Sequence, residues 1–382
     1  MSISRKMQAF GEKSSWIRKM FEQGEKMKAE YGAENVFDFS LGNPDVPPPP
    51  EFDQVIAKLI ADRSPGVHGY MPNGGYPRVR EALAGRMSAE QGVALSGAEI
   101  LMTCGAAGAL NVVMKALLDP GDEVIILAPF FVEYHFYVDN HGGVVSVAPC
   151  DEAFNIDHEA IRAAVSARTK AVIINSPNNP TGQVYSQAAL DALGVVLEEE
   201  GRRHGSTIYL VMDEPYRDIL FDGHQAASTL SAYRNAIVLS SYSKSLSLAG
   251  ERIGFMAVHP EVEDKPALLD ALTLANRILG FVNAPALMQR VVAELQDVTV
   301  DSSIYARRRE LFRQILDDAG FEYELPRGAF YFFPKSPIED DVEFCGILQQ
   351  QKILAVPGSG FGAPGYFRLA FAVPDDVIER SA

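Results

Sequence analysis

One lysine, Lys244, stands in Ser-Ser-Tyr-Ser-Lys-Ser-Leu-Ser-Leu-Ala-Gly-Glu-Arg-Ile-Gly, from Ser240 to Gly254, among small hydroxyls and between the apolar runs Ala236 to Leu239 and Ile253 to Val258. A lysine that is partly desolvated, or held near a second cation, loses its proton more readily, and the neutral amine can then add to an aldehyde. Arg252 is placed to be that cation or, with Ser241, to hold an anionic group. A solvated lysine in a Ser-rich loop fits the same segment, so the decision rests with the remaining stretches.

Four of them carry complementary chemistry. In Asp213-Glu214-Pro215-Tyr216 a carboxylate ends an apolar run, where burial without a partner costs on the order of several kcal/mol. A protonated ring nitrogen would be such a partner, and a helix N-cap is the competing reading. Asn175-Ser176-Pro177-Asn178-Asn179-Pro180-Thr181-Gly182 crowds three amides into five residues beside two backbone-fixing prolines, which favours ligand contact over a plain turn. Cys104-Gly105-Ala106-Ala107-Gly108-Ala109-Leu110 is bare of side chains where a helix begins. The first amides of a helix have no internal partners, so a phosphate can approach them there; tight packing of helix on strand explains the same residues. Pro129-Phe130-Phe131-Val132-Glu133-Tyr134 offers rings that could cover a planar ligand or fill a core.

The elements that must position these groups follow from periodicity. Ile100 to Thr103, Val124 to Leu127, Val144 to Ala148, Ala171 to Ile174, Ile208 to Met212, Ile237 to Leu239 and Ile253 to Val258 are short apolar runs alternating with helical patterns. They predict an α/β fold with a central, largely parallel sheet covered on both faces, and ligands then bind beyond the strand C-terminal ends. Each stretch above follows such a run. Helices are predicted over Ser15 to Tyr31, Phe52 to Ile60 and Pro77 to Gln91, separated by the stiff run Pro47 to Pro50 and by the glycine-rich loop His68 to Gly75 that presents Tyr70. Helical spacing dominates from Glu261 to Asp318, and Ala329 to Phe333, Ile353 to Val356 and Phe367 to Phe371 predict a second, smaller sheet.

Composition narrows the class. A chain of 382 residues, 47% hydrophobic, can bury a large core and divides into one big and one smaller domain. Its 34 Lys and Arg against 50 Asp and Glu, net −16, argue against nucleic-acid binding, which needs a basic surface. Cys104, Cys150 and Cys345 are widely spaced, without metal-ligand or disulfide patterning, so no metal is expected and a reducing cytoplasm fits. No stretch has the apolar length to span a membrane, and the start lacks an apolar signal core.

Taken in order, Asn-Asn-Pro-Thr-Gly, Asp-Glu-Pro-Tyr and Ser-Tyr-Ser-Lys followed by Arg252 resemble the signatures of fold-type I pyridoxal-phosphate enzymes, most closely the class I/II aminotransferases of the aspartate aminotransferase type. The resemblance runs from Leu41-Gly42-Asn43-Pro44-Asp45 to Phe367-Arg368-Leu369-Ala370. It implies a large cofactor-binding domain, residues 47–299, with a mostly parallel seven-stranded sheet between helices, and a smaller α+β domain built from both chain ends, residues 1–46 with 300–382. It implies a ping-pong aminotransferase that moves an amino group from an L-amino acid to a 2-oxo acid. By that likeness Lys244 carries the aldimine with pyridoxal 5'-phosphate and then shuttles the α-proton. Asp213 keeps the ring nitrogen protonated, which makes the ring an electron sink. Asn179 and Tyr216 hold the phenolic oxygen, Phe131 covers the ring, and Gly105, Ala106, Ala107, Ser241 and Arg252 form the phosphate site. Arg368 pairs with the substrate carboxylate, with Gly42, Asn43 and Asn179 nearby. Tyr70 reaches the phosphate of a neighbouring subunit, so a homodimer with shared sites is implied.

Departures from the family pattern leave the substrate open. Phe131 stands where many relatives have tryptophan or tyrosine. Position 107 is alanine, where one dicarboxylate-specific subgroup has lysine, so aspartate specificity by that route has no support. A C–S β-lyase of the same fold shares the lysine, aspartate and arginine and is the alternative activity. Gly360-Phe361-Gly362-Ala363-Pro364-Gly365 satisfies a dinucleotide-binding pattern, but Pro364 and a β-like run follow where a helix is required. A pyridoxal-phosphate-sensing regulator would need a basic DNA-binding module, which this acidic chain does not suggest before Gly42.

Overall fold

The computed structural model describes residues 3–12 and 16–382. Twelve strands follow in chain order: β1 (Phe37–Asp38), β2 (Ile100–Thr103), β3 (Glu123–Ala128), β4 (Val144–Pro149), β5 (Thr169–Asn175), β6 (Tyr209–Asp213), β7 (Ala236–Ser241), β8 (Gly254–Val258), β9 (Tyr331–Phe332), β10 (Ile353–Leu354), β11 (Val356–Pro357) and β12 (Phe367–Ala370). Seven form the central sheet in the order β2-β8-β7-β6-β5-β3-β4. All neighbours are parallel except that β8 runs against both β2 and β7. The fold is thus α/β with a mostly parallel seven-stranded sheet between helices, as the apolar runs predict.

Burial explains why these runs are strands. Side chains alternate across a sheet. Ile125, Val172, Leu210, Val238 and Ala257 enter one core layer, while Val124, Ile126, Ala171, Ile173, Val211, Ile237 and Leu239 enter the other. A sheet covered on both faces selects β-branched residues at every position, hence the unbroken apolar runs. The edge strand β4 is the exception, with Val144 and Val147 exposed. Helices fill the faces with ordinary end signals. Ser186 accepts a hydrogen bond from the Ala189 amide at the start of Gln187–His204, and Gly205 ends that helix in a left-handed turn.

The chain ends meet in a separate layer. β11, β12 and β9 make a small antiparallel sheet, whose aromatic core gathers Phe312, Phe330, Phe332, Phe367 and Phe371 with Phe39 from the N-terminal segment. The predicted strand Ile353 to Val356 is divided: Ile353 and Leu354 pair in parallel with Phe37 and Asp38, and only Val356 continues into the small sheet. The helix Trp16–Tyr31 forms as predicted, with Ser15 outside the described residues. Pro50 starts the helix Pro50–Ile60, at a position where its missing N–H has no intrahelical partner to lose. The glycine pattern at Gly360 lies in a tight 3-10 turn, Gly358–Phe361, followed by β12 and not by a helix. Among the described residues no helix is long and apolar enough to cross a membrane.

Candidate active site

The strand ends converge on one cleft of about 270 Å³, lined by Gly42, Ala106, Ala107, Phe131, Asn179, Asp213, Tyr216, Ser241, Lys244, Arg252 and Arg368 among others. Lys244 sits in the single turn Tyr242–Ser245 that follows β7. Asp213 is the last residue of β6, and Ala106 and Ala107 open the helix Gly105–Leu117 after β2. Arg252 reaches the same end because β8 is reversed, which puts Gly254 beside Ser241 and Thr103. Gly105 adopts φ +73, and a Cβ there would lie 2.9 Å from the Arg252 Nη2. Only glycine brings the amides and the guanidinium this close.

The electrostatics of the cleft are set by burial. Lys244 is pushed down to about 7, first by desolvation and then by Arg368 and Arg252. Its Nζ donates to the Gly42 carbonyl at 2.6 Å and lies 5.4 Å from the Phe330 ring centre. Asp213 moves the other way, up to about 6, because desolvation outweighs its hydrogen bond from Tyr134. The Tyr134 hydroxyl donates to Oδ2 at 2.7 Å, and the Asn175 amide donates to the Asp213 carbonyl at 2.7 Å. Oδ1 is buried without a hydrogen-bond partner among the described residues. Strand alternation sends the neighbouring Glu214 away from the cleft, where Arg217 at 2.9 Å and Gln91 at 3.3 Å satisfy it.

Arg368, at 1% exposure, is the largest fully buried side chain in the protein as described. Its Nη1 donates to Asn179 Oδ1 at 2.8 Å and its Nη2 to the Ser40 carbonyl at 2.6 Å, leaving Nε without a partner among the described residues. The guanidinium is sandwiched 4.6 Å from the Tyr331 ring centre and 4.9 Å from that of Phe361. Among the described residues no carboxylate neutralises it, and burial lowers its proton affinity. A buried, unpaired guanidinium with a free edge is a receptor for an anion.

Three of the named residues lie elsewhere. Tyr70 is 93% exposed, on the loop before the helix Pro77–Gln91. Gly105 stands behind Arg252 and not on the cleft wall. Asn43 is exposed and borders a different depression with Lys28, Asp38 and Asp45. Two residues on, Arg308 grips both oxygens of Asp45, at 2.6 and 2.8 Å. In the other direction, the cleft includes Tyr137 and Tyr331, to which the sequence assigns no role, and Tyr134 and Asn175, which it marks only as members of their stretches. Tyr134 lies three positions after Phe131 on the turn entering Glu133–Asp139, a spacing that puts both rings on one face. Tyr331 carried no signal beyond its strand.

This is the chemistry of a class of enzyme, and the comparisons identify it. The chain belongs to the family described as aminotransferase class I and II, whose model matches residues 34–382. It is 33% identical over 348 residues to the aspartate/prephenate aminotransferase of Thermus thermophilus, covering 90% of this chain and 88% of that one. It is 31% identical over 378 residues to an aspartate aminotransferase of Geobacillus stearothermophilus, covering 94% of this chain and 92% of the relative. Among solved structures, an aminotransferase from Eubacterium rectale superimposes with a TM-score of 0.96 at 39% identity, covering 100% of this chain and 96% of that one. The Thermus thermophilus aspartate aminotransferase with maleate gives 0.88 at 29% identity, covering 100% and 98%. The protein is an aminotransferase.

Proposed function

We propose that the enzyme uses pyridoxal 5'-phosphate and moves an amino group from an L-amino acid to a 2-oxo acid in two half-reactions of a ping-pong cycle. The observation that carries this reading is a pair of buried groups in one cleft, the Asp213 Oδ1 without a donor among the described residues and the lysine amine depressed to about 7. A protonated pyridine nitrogen answers the first and an aldehyde the second, and the bare start of Gly105–Leu117 with Ser241 and Arg252 accommodates a phosphate. When bound, the cofactor supplies a carbonyl for amines and a ring that accepts the electron pair left by the α-proton.

The chain's own residues do the rest. Lys244 is the amine that would hold the cofactor, and its Nζ would be the base that takes the α-proton. Asp213 holds a proton on the ring nitrogen, and Asn179 and Tyr216 donate toward the phenolic oxygen. Phe131 covers the ring. Arg368 binds the α-carboxylate through its fork, a geometry lysine lacks. We assign residues 47–299 to the cofactor domain and 1–46 with 300–382 to a smaller domain, so that Arg368 and Lys244 lie on opposite sides and substrate draws them together. Tyr70, free in a single chain, reaches a second subunit of a homodimer in this reading.

The test is to mix the cofactor-loaded enzyme with a panel of amino acids, no acceptor present, and follow the visible band. Loss of the band with one equivalent of 2-oxo acid supports the half-reaction and names the donor. Sustained release of pyruvate, ammonia and thiol from cystathionine would instead identify a C–S lyase. An enzyme that never acquires a visible band with pyridoxal phosphate would defeat the reading.

A further inference from the structure

Two tyrosine hydroxyls meet at the back of the cleft. Tyr216 and Tyr331 are 2.7 Å apart, oxygen to oxygen, and are exposed by only 5% and 2%. Among the described residues neither hydroxyl has another hydrogen-bond partner. We propose that Tyr331 is a positioning residue for the transamination, its hydroxyl donating to Tyr216 so that Tyr216 must direct its own proton to a cofactor oxygen in the cleft. The inference rests on the pyridoxal-phosphate reading above.

Proton counting supports the direction. A tyrosine hydroxyl has one proton to give and lone pairs to accept with. If Tyr216 donates to a ligand oxygen, the bond between the two tyrosines can be made only by the Tyr331 proton. A hydroxyl that accepts while donating is a better donor, because each bond polarises the next. Both groups keep their protons at ordinary pH, since burial raises each above its usual range, Tyr216 well above it.

The surroundings hold Tyr331 for this task. Tyr331 lies on β9, in register with Ala370 of β12, two residues from Arg368. Its ring is the platform under the Arg368 guanidinium, 4.6 Å from ring centre to Cζ, and it meets the Tyr216 ring edge-on at 81°. On the remaining side Gly42 presses against the hydroxyl, where a methyl group would overlap the oxygen and lie 2.7 Å from Cζ. One side chain therefore links the group that would bind the substrate carboxylate to the group that would bind the cofactor's phenolic oxygen.

The experiment is a spectrophotometric pH titration of the visible band, without substrate, in enzyme saturated with pyridoxal phosphate. A donor to the deprotonated phenolic oxygen lowers the midpoint, so weakening Tyr216 raises it. Tyr331→Phe should shift the midpoint upward by about half to one unit. Tyr216→Phe should shift it further, and Tyr216→Phe/Tyr331→Phe should titrate like Tyr216→Phe alone. Gly42→Ala, which pushes the same hydroxyl aside, should also shift it upward. A downward shift in Tyr331→Phe would mean that Tyr216 had been donating to Tyr331, and it overturns the proposal. So does an unchanged midpoint, or the same upward shift in the Tyr216→Phe background. Absence of the band in the wild-type enzyme overturns the cofactor reading and the relay with it, whereas a band with the wrong shift overturns the relay alone.

Discussion

Replacing Asp213 by asparagine should stabilise the cofactor-free protein while crippling its chemistry. Folding raises the Asp213 carboxyl from 3.8 to about 6, mainly by desolvation. A group raised on folding contributes stability that is present below its unfolded value and lost as pH rises through its folded value. The shift of about two units corresponds to roughly 3 kcal/mol, of which about 1.4 kcal/mol is lost between pH 5 and pH 8. Asparagine has no charge to bury, and its Oδ1 can still accept from Tyr134. Denaturant unfolding of the apoproteins should therefore show Asp213→Asn gaining on wild type by about 1.4 kcal/mol between those two pH values. Pyridoxal phosphate should reverse the order at pH 8, because only the wild-type carboxylate gains a cationic partner. A pH-independent difference between the two apoproteins, or a variant that loses stability relative to wild type as pH rises, would refute the reasoning.

The remaining predictions concern the other charged groups. Lys244, pushed down to about 7, should make the rate of cofactor capture by the apoprotein rise through neutral pH, and stopped-flow growth of the visible band will show whether it instead waits for pH above 10. Arg368→Lys keeps the charge but loses the fork, so kcat/KM for the amino donor should fall roughly 10- to 100-fold in steady-state assays with little change in cofactor affinity. Tyr134→Phe removes the hydrogen bond that restrains Asp213, so the pH at which cofactor affinity is half lost should rise by about one to two units, read by equilibrium titration.

Much of this arrangement is legible in the sequence because several of its groups lie at or a few residues beyond the C-terminal end of a strand. Lys244, Asp213 and Asn179 stand out as polar residues after apolar runs, and a two-sided sheet leaves such residues only its ends. What the runs do not encode is direction. β8 is apolar throughout whether it runs with its neighbours or against them, so its reversal follows from pairing and not from pattern. The roles of Tyr134 and Tyr331 are not legible because a buried ring reads as cover or core, and only the geometry shows that its hydroxyl meets Asp213 or Tyr216. Asn43 is drawn toward the site by its place in a recognisable motif, whereas in the structure it is exposed two residues from Asp45, whose carboxylate Arg308 holds.

The reversed strand β8 also bears on how the molecule is made. It lies between β2 and β7, so Thr103 and Ser241, distant in the chain, become near neighbours only through Gly254. A nascent chain that has emerged only as far as Leu248 holds the lysine but neither Arg252 nor the strand that joins the two halves of the proposed phosphate site. Affinity for a phosphate ligand should accordingly appear late in synthesis, as a single step when this strand is inserted. Ligand capture would then mark the moment at which the sheet is complete.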